Sequence, residues 1–421
     1  MSNMQERRRV VITGMGMLTP VGLDVPTSWE ALLAGKSGGR TISQFDPSDG
    51  FPTKVACEVE GFEPTDYLDR KEARRYDRFA QFAIAAADQA MTHAGLEGAP
   101  GGTSPERFGV IFGSGIGGMD TFETQCRNLI QKGPERVSPF FVPMFIPDIA
   151  AGLVSIRFNL QGPNYATVSA CASSAHAIGD AARLIERGDA DLMLAGGTEA
   201  SITPLTIAGF ASMKAMSTRN DDPATASRPF DAGRDGFVIG EGAGCLLLEE
   251  HEHAKARGAK IYGEFAGFGM SGDAYHITSP APAHRGAQHA MRLAIKDAGV
   301  EPTDVDYVNA HGTSTPQNDT KETEAIKAVL GDHAYDIIVG STKSMTGHAL
   351  GAAGAIESVV SALVCATGKI PPTINFFDAD ETCDLNYAHN EMVERPVSVA
   401  LSNSFGFGGH NVCLALKRYD E

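Results

Sequence analysis

A chain of 421 residues, 43% of them hydrophobic, is long enough to bury a large core and to form two or three domains. Its formal net charge of -17 argues against nucleic acid as a partner, and its seven cysteines, with no CxxC pair, argue against a disulfide framework or a zinc ribbon. A reduced, cytoplasmic setting is expected. The N-terminal stretch MSNMQERRRV carries no apolar signal segment and runs straight into a strand-like run, so secretion is not expected.

In chain order the elements fall into two similar series. An alanine-rich helix from about Phe79 to His93 ends at Ala94-Gly95-Leu96, glycine being the usual left-handed cap. A strand, Phe108 to Phe112, runs into the small-residue turn Gly113-Ser114-Gly115. The β-like run Tyr165 to Val168 leads into Ser169-Ala170-Cys171-Ala172-Ser173-Ser174-Ala175-His176, which opens a helix reaching Arg187. Strands over Leu192 to Ala195 and Ala243 to Leu248 close the first series.

The second series starts with a helix from about Ala287 to Asp297, capped at Ala298-Gly299-Val300. The strand Val305 to Ala310 runs into His311-Gly312-Thr313, and Ser344-Met345-Thr346-Gly347-His348-Ala349 opens another helix. Strands over Val397 to Leu401 and Val412 to Leu416 close it. The most apolar long stretch, Ala349 to Thr367, contains Glu357 and many small residues, and reads as a buried helix rather than a membrane span. Alternating strands and helices imply mostly parallel sheets covered by helices. The repetition predicts two sheets related by a pseudo-twofold axis, with halves at residues 1–259 and 260–421. Equivalent turns then face each other, which brings Cys171 near His311 and His348.

These three residues form a kit for acyl chemistry. A cysteine at a helix N-terminus feels the positive end of the dipole and unpaired backbone N–H groups, so a lowered pKa and a nucleophilic thiolate are expected of Cys171. Its small neighbours Ala170, Ala172, Ser173 and Ser174 leave room for a bulky thioester. His311 and His348 sit at strand ends, where ligands bind in open α/β sheets. Two neutral imidazoles can donate N–H bonds to a thioester oxygen as charge builds on it, which loss of CO2 from a malonyl group requires. Lys343 either sets the hydrogen-bonding state of a histidine or pairs with a buried acid such as Glu357.

Other signals are set aside. Cys57, Cys126, Cys245, Cys365, Cys383 and Cys413 lie in ordinary apolar or helical contexts. His251, His253, His276, His284 and His289 are read as lying outside the site. HExxH spacing is absent, and no metal is expected. The run Gly113-Ser114-Gly115-Ile116-Gly117-Gly118 fits GxGxxG but does not lie in a leading βαβ unit, and a glycine-rich pocket wall explains it as well as a dinucleotide site does.

The wording around these residues resembles the β-ketoacyl-acyl-carrier-protein synthases of the thiolase superfamily, most closely the elongating synthase II type. The resemblance runs from about Arg8 to Leu416. It rests on VVITGMG at Val10, SACASS around Cys171, STRNDDPATASRPFDAGRDGFVIGEGAG from Ser217, NAHGTSTPQND at Asn309, STKSMTGHALGAAGA at Ser341 and NSFGFGGHN at Asn403. It implies a thiolase-like duplicated fold, five-layered α-β-α-β-α with two mixed sheets. It implies that Cys171 is the acyl-accepting nucleophile, that His311 and His348 support decarboxylation and condensation, and that Lys343 is the active-site lysine. The backbone N–H groups of Cys171 and Phe407 would form the oxyanion hole. Ile116 and Phe210 match acyl-pocket positions, Thr313 and Thr315 match contacts to the pantetheine arm, and Phe405 and Phe407 match the Gly-rich gate. The chain departs from the family pattern where the nucleophile motif reads Cys-Ala-Ser-Ser instead of the Cys-Thr-Ser-Gly of many synthase II enzymes, and where His410 replaces a usual threonine.

The same resemblance implies an acyl carrier protein as partner, a homodimer, and no cofactor beyond the phosphopantetheine that the carrier brings. Lys71, Arg74, Arg75 and Arg78 fall at i, i+3, i+4, i+7 spacing and are expected on one helical face, where they would steer an acidic carrier. Arg136 and Lys214 match other docking positions, whereas Glu135 stands where a base is usual. Two rivals share these motifs in whole or part. One is a polyketide or aryl-polyene ketosynthase of the same chemistry. The other is a non-catalytic chain-length partner subunit, a class that lacks the nucleophilic cysteine.

Overall fold

The computed structural model describes residues 7–48, 50–96 and 103–420; the first six residues of the N-terminal stretch lie outside them. Ten strands carry the framework: β1 (Val10–Leu18), β2 (Phe108–Gly113), β3 (Asn164–Thr167), β4 (Leu192–Glu199), β5 (Gly242–Glu250), β6 (Gly263–Gly272), β7 (Tyr307–Asn309), β8 (Ile338–Gly340), β9 (Val399–Gly406) and β10 (His410–Lys417). They pair in the order β8-β7-β9-β10-β6-β1-β5-β4-β2-β3.

The duplication is written into this order. In the first half β1 is antiparallel to β5, β5 antiparallel to β4, β4 parallel to β2 and β2 parallel to β3. In the second half β6, β10, β9, β7 and β8 repeat the same succession of senses. The two expected mixed sheets are thus two five-stranded halves. They are also joined edge to edge, because Val10, Val11 and Ile12 pair with Phe265, Glu264 and Gly263.

Helices cover both faces of each half, so the central strands are buried along their length rather than on alternate residues. Every residue of β4 is buried. Helix α1 (Arg78–His93) lies on the outer face of the first half against β1, β5 and β4. Asp77 caps its first turn at Phe79 N, and Gly95, at φ 69°, follows its last. Helix α3 (Arg285–Asp297) lies on the second half against β6 and β10, with α4 (Pro316–Leu330) beside it.

Helices α2 (Ser173–Glu186) and α5 (Ala353–Thr367) touch each other and strands of both halves, which completes five layers. Ile178, Ala182 and Ile185 meet Val359, Val360 and Val364 in one core. Each fully buried valine or isoleucine there contributes about 1.5–3 kcal/mol of apolar burial. A helix packed on all sides is apolar all round. The span Leu350–Thr367 has mean hydropathy 1.6 yet is 83% buried, as a core helix should be.

One helix start differs from expectation. Ser344 to Ala349 does not open α5. A separate short helix, Lys343–Thr346, stops at Gly347, whose φ of 65° suits glycine, and α5 begins only after the 3₁₀ turn Leu350–Ala352. The counterpart of Leu350–Ala352 in the first half is Ala170–Ala172, the turn that carries Cys171 ahead of α2.

Candidate active site

Cys171 stands on a strained elbow between β3 and α2. Ala170 has φ 52°, a left-handed conformation that costs a residue with a Cβ about 1–2 kcal/mol. Ser173 holds it there: its Oγ donates to the Ala170 carbonyl at 2.7 Å and accepts from Ser169 N at 2.9 Å. At Gly406, a Cβ would fall 2.5 Å from the Ser169 carbonyl and 3.2 Å from Cys171 N, so only glycine lets the end of β9 pass this close. The backbone N–H groups of Cys171 and Phe407 both draw on the sulfur.

The expected thiolate is not what this setting favours. Burial pushes the Cys171 thiol up to about 12, against the pull of Lys343 and of the two backbone N–H groups. Desolvation outweighs the helix terminus here. The resting sulfur is protonated, and any attack from it would first require passing that proton on.

His348 is the group placed to take it. Its Nε2 lies 3.0 Å from Cys171 Sγ. A strand-like crossing pins its backbone: His348 N donates to the Val238 carbonyl at 2.7 Å, and Gly240 N donates to the His348 carbonyl at 2.9 Å. His311 follows β7, and Glu322 on α4 fixes it by accepting from His311 N and Gly312 N, each at 2.8 Å. The two rings stand 5.3 Å apart and nearly perpendicular. Burial, reinforced by the charge of Lys343, holds both imidazoles well below their ordinary pKa, so both are neutral. Nδ1 of each is buried without a partner, so hydrogen bonding leaves the His311 tautomer free, whereas the protonated thiol beside His348 Nε2 makes that nitrogen an acceptor.

Lys343 makes the second of its two expected contacts. Its Nζ pairs with Glu357 on α5, the two side chains being 1% and 3% exposed. Burial raises Glu357 to about 7 even with that partner. Another buried acid, Glu199 at the end of β4, was not apparent in the sequence. It accepts from Gly115 N at 2.7 Å, Ile116 N at 3.2 Å and Gly351 N at 2.9 Å, so it ties the pocket wall of one half to the other. No local signal marked Glu199. Gly351 sits in the turn equivalent to that of Cys171, and the second half has no nucleophile there.

Cys171, His311 and His348 open onto a cavity of about 580 Å³. All six residues expected to touch substrate line it: Ile116, Phe210, Thr313, Thr315, Phe405 and Phe407. Thr313 and Thr315 share a hydroxyl–hydroxyl bond of 2.9 Å. Phe405 is buried with its ring 5.5 Å from His311, while Phe407 is 36% exposed and its ring lies 6.4 Å from Phe210. Phe237 and His284 are among the lining residues that had no assigned role. Phe237, inside the quoted run from Ser217, puts its ring 5.6 Å from His348. His284, read as outside the site, lines the cavity and is 1% exposed.

The basic segment departs most from expectation. Lys71, Arg74, Arg75 and Arg78 do not share one helical face. The helix Arg70–Ala73 ends after one turn, and Asp77, as the cap of α1, starts a new helix at Arg78. The Arg78 guanidinium turns inward to Glu241 at 2.8 Å and over the Phe82 ring. Lys71 and Arg74 are exposed, and Arg75 lies over the Phe140 ring at 4.7 Å. Arg136 is exposed on a 3₁₀ turn, and Lys214 is exposed where it lines the cavity that holds Cys171.

Comparison with known proteins agrees with this architecture. Residues 7–254 match the family model of the β-ketoacyl synthase N-terminal domain, and residues 262–377 match that of the C-terminal domain. The chain is 53% identical over 414 residues to 3-oxoacyl-[acyl-carrier-protein] synthase 2 of Synechocystis sp., covering 98% of this chain and 99% of that one. It is 54% identical over 413 residues to the protein of the same name from Coxiella burnetii, with the same coverage. Among solved structures, a β-ketoacyl synthase from Burkholderia phymatum superposes with TM-score 0.91 at 37% identity, over 98% of this chain and 100% of that one. A type II polyketide acyl-carrier protein in complex with its ketosynthase gives the same score and identity over 99% of this chain and 100% of that one. Arrived at from its duplicated sheet and convergent cysteine and histidines as well as from these likenesses, the conclusion is that the chain belongs to the β-ketoacyl synthase family.

Proposed function

We propose that this chain is a 3-oxoacyl-[acyl-carrier-protein] synthase that elongates fatty acids, and that Cys171, His311, His348 and Lys343 carry the reaction. An acyl-carrier thioester enters, His348 Nε2 takes the Cys171 proton, and the sulfur attacks the thioester carbon. The oxyanion rests on the N–H groups of Cys171 and Phe407, and His348 returns the proton to the departing pantetheine sulfur. A malonyl thioester follows. His311, and His348 once its ring proton has moved from Nδ1 to Nε2, hold its carbonyl oxygen as N–H donors while CO2 leaves. The carbanion attacks the acyl-Cys171 carbon, the C–S bond to Cys171 breaks, the β-ketoacyl carrier departs and the Cys171 thiolate takes up a proton from solvent. The Lys343–Glu357 pair keeps a fixed positive charge beside two imidazoles that must stay neutral.

No metal or organic cofactor enters these steps; the pantetheine arm comes with the carrier. Ile116 and Phe210 bound the acyl pocket, Thr313 and Thr315 receive the arm, and Phe405 and Phe407 gate the entrance. Lys71, Arg74, Arg75, Arg136 and Lys214 dock the acidic carrier. We place the boundary between the halves at residues 259 and 260, just before β6. A homodimer is supported by β3, an edge strand with no buried residue, together with exposed Tyr165, Val168, Phe140, Val142 and Ile156 nearby in sequence. A cytoplasmic enzyme without a membrane span is the reading that a buried α5 supports. The fatty acid substrate is favoured over a polyketide one because relatives at 53–54% identity carry the synthase 2 name, whereas the solved polyketide complex matches at 37%.

The observation that carries this reading is the 3.0 Å contact between Cys171 Sγ and His348 Nε2 in a cavity shared with His311. Mass spectrometry tests it. After incubation with an acyl-carrier thioester, the peptide containing Cys171 should gain the acyl mass, and added malonyl carrier should remove it as β-ketoacyl product. An unacylated Cys171 peptide would point instead to a non-catalytic partner subunit.

A further inference from the structure

His284 bears two costs that an ordinary packing residue would avoid. The first is conformational. Ala283 (φ 54°, ψ 18°) and His284 (φ 48°, ψ 42°) are successive left-handed residues, a conformation that glycine or asparagine adopts with less penalty. The second is polar. The ring is sealed from solvent and its Nδ1 has no hydrogen-bond partner, which a phenylalanine or leucine in the same place would never incur.

Surrounding groups do not absorb that polarity. The ring lies 4.7 Å from the Phe405 ring, which in turn lies 5.5 Å from His311. The acid closest in sequence, Asp273, is occupied elsewhere: Oδ1 accepts from Asn411 Nδ2 at 2.9 Å and Oδ2 from Ala281 N at 3.1 Å. Burial keeps the His284 ring neutral, lowering it to about 4, so it offers a hydrogen bond and not a charge. With nothing pinning Nδ1, the ring proton is free to sit on the nitrogen that meets a substrate.

Two acyl groups use this cavity, and they differ at their far ends. The transferred chain ends in methyl, whereas the extender ends in a carboxylate. When a malonyl carbonyl oxygen sits at His311, its carboxylate lies a few ångströms away. Phe405 and the neutral His284 line the same cavity as His311, with the Phe405 ring next to both imidazoles. We propose that His284 is a substrate-positioning residue for the second half-reaction, donating a ring N–H to the malonyl carboxylate and so selecting the charged extender over an uncharged acyl group. The proposal rests on the condensing reading of the site. A neutral donor suits it: a cation would hold the carboxylate too firmly for CO2 to leave.

The test compares His284→Phe, His284→Gln and His284→Gly in the full-length enzyme, measuring acylation of Cys171 and elongation with malonyl carrier separately. Phenylalanine keeps the ring and removes the donor. Glutamine restores an N–H near the position of the histidine Nε2. Glycine removes both ring and strain, and serves if the phenylalanine variant does not fold. The expected result is a KM for malonyl carrier raised about tenfold or more in the Phe and Gly variants, with acylation within about twofold of the unsubstituted enzyme and with Gln recovering most of the loss. An unchanged KM, a parallel fall in acylation, or equal losses for Gln and Phe would each overturn the proposal. If the unsubstituted enzyme neither acylates Cys171 nor consumes malonyl carrier, the condensing reading fails instead.

Discussion

Cys171 Sγ and His348 Nε2 meet at 3.0 Å across 177 residues of sequence and from opposite halves of the duplicated fold. Both are buried and both are displaced towards their neutral forms, the thiol upwards and the imidazole downwards. The resting site is a neutral pair, unlike a preformed thiolate–imidazolium couple.

The pH dependence of alkylation should report this. A thiol raised to about 12 stays protonated through neutrality and yields thiolate only as pH rises. The rate of inactivation by iodoacetamide should therefore climb about tenfold per pH unit between pH 7 and 9 without levelling. A plateau extending below pH 7 would mean that the sulfur rests as thiolate.

The two histidines should separate under substitution. Of the two, His348 is the one hydrogen-bonded to the sulfur, so His348→Ala should slow both acylation of Cys171 and decarboxylation of malonyl carrier. His311→Ala should reduce decarboxylation by about 10²–10³-fold, the usual scale for losing one oxyanion donor, with acylation within a few-fold. Cys171→Ala should abolish condensation yet leave decarboxylation measurable. Half-reaction assays check all three, and identical profiles for both histidine variants would contradict the separate roles.

Lys343 and Glu357 should behave as a pair. Lys343→Met leaves a buried acid without its counterion and should destabilise the protein by about 3–5 kcal/mol in denaturant titration. The double substitution Lys343→Met with Glu357→Gln should recover more than half of that. Without Lys343, burial should drive Glu357 further into its neutral form, so the single variant should lose stability steadily as pH rises from the ordinary carboxyl value of 4.5 through neutrality, where the unfolded chain is ionised and the buried carboxyl is not.

Carrier docking should depend on exposed bases alone. Lys71→Glu combined with Arg74→Glu should raise the KM for acyl-carrier substrate about three- to tenfold at low salt, with less effect as ionic strength rises. The KM for a free acyl-pantetheine thioester should not change. Arg78→Glu, by contrast, should act on stability, because its guanidinium lies against Glu241 and Phe82.

Turn chemistry made the centre of this site legible in sequence. Cys171, His311 and His348 each stand among Gly, Ser, Thr and Ala residues at the end of an apolar run, and such turns are set by local rules. The helix at Phe79 to His93 was legible for the same reason, since Gly95 marks its end. What burial decides was not legible. The sulfur's resting state depends on atoms packed around it from the other half, which outweigh the local helix terminus. His284 looked ordinary because the ring against it, Phe405, lies on a distant strand. Strand β6 reads Gly-Glu-Phe-Ala-Gly-Phe-Gly-Met-Ser-Gly, a glycine-rich run that suggests a loop; pairing to β10 and β1 makes it a strand. The basic run from Lys71 to Arg78 contains neither glycine nor proline, yet Asp77 divides it by capping the helix behind it.

Helices α2 and α5, wedged between the two sheet halves, limit how this protein can be cut or recombined. Either half made alone would expose an apolar helix meant for its twin and would carry either the sulfur or the imidazoles, never both. Shuffling halves between relatives would have to match that seam side chain by side chain, so such chimaeras should fail at folding before substrate choice comes into play.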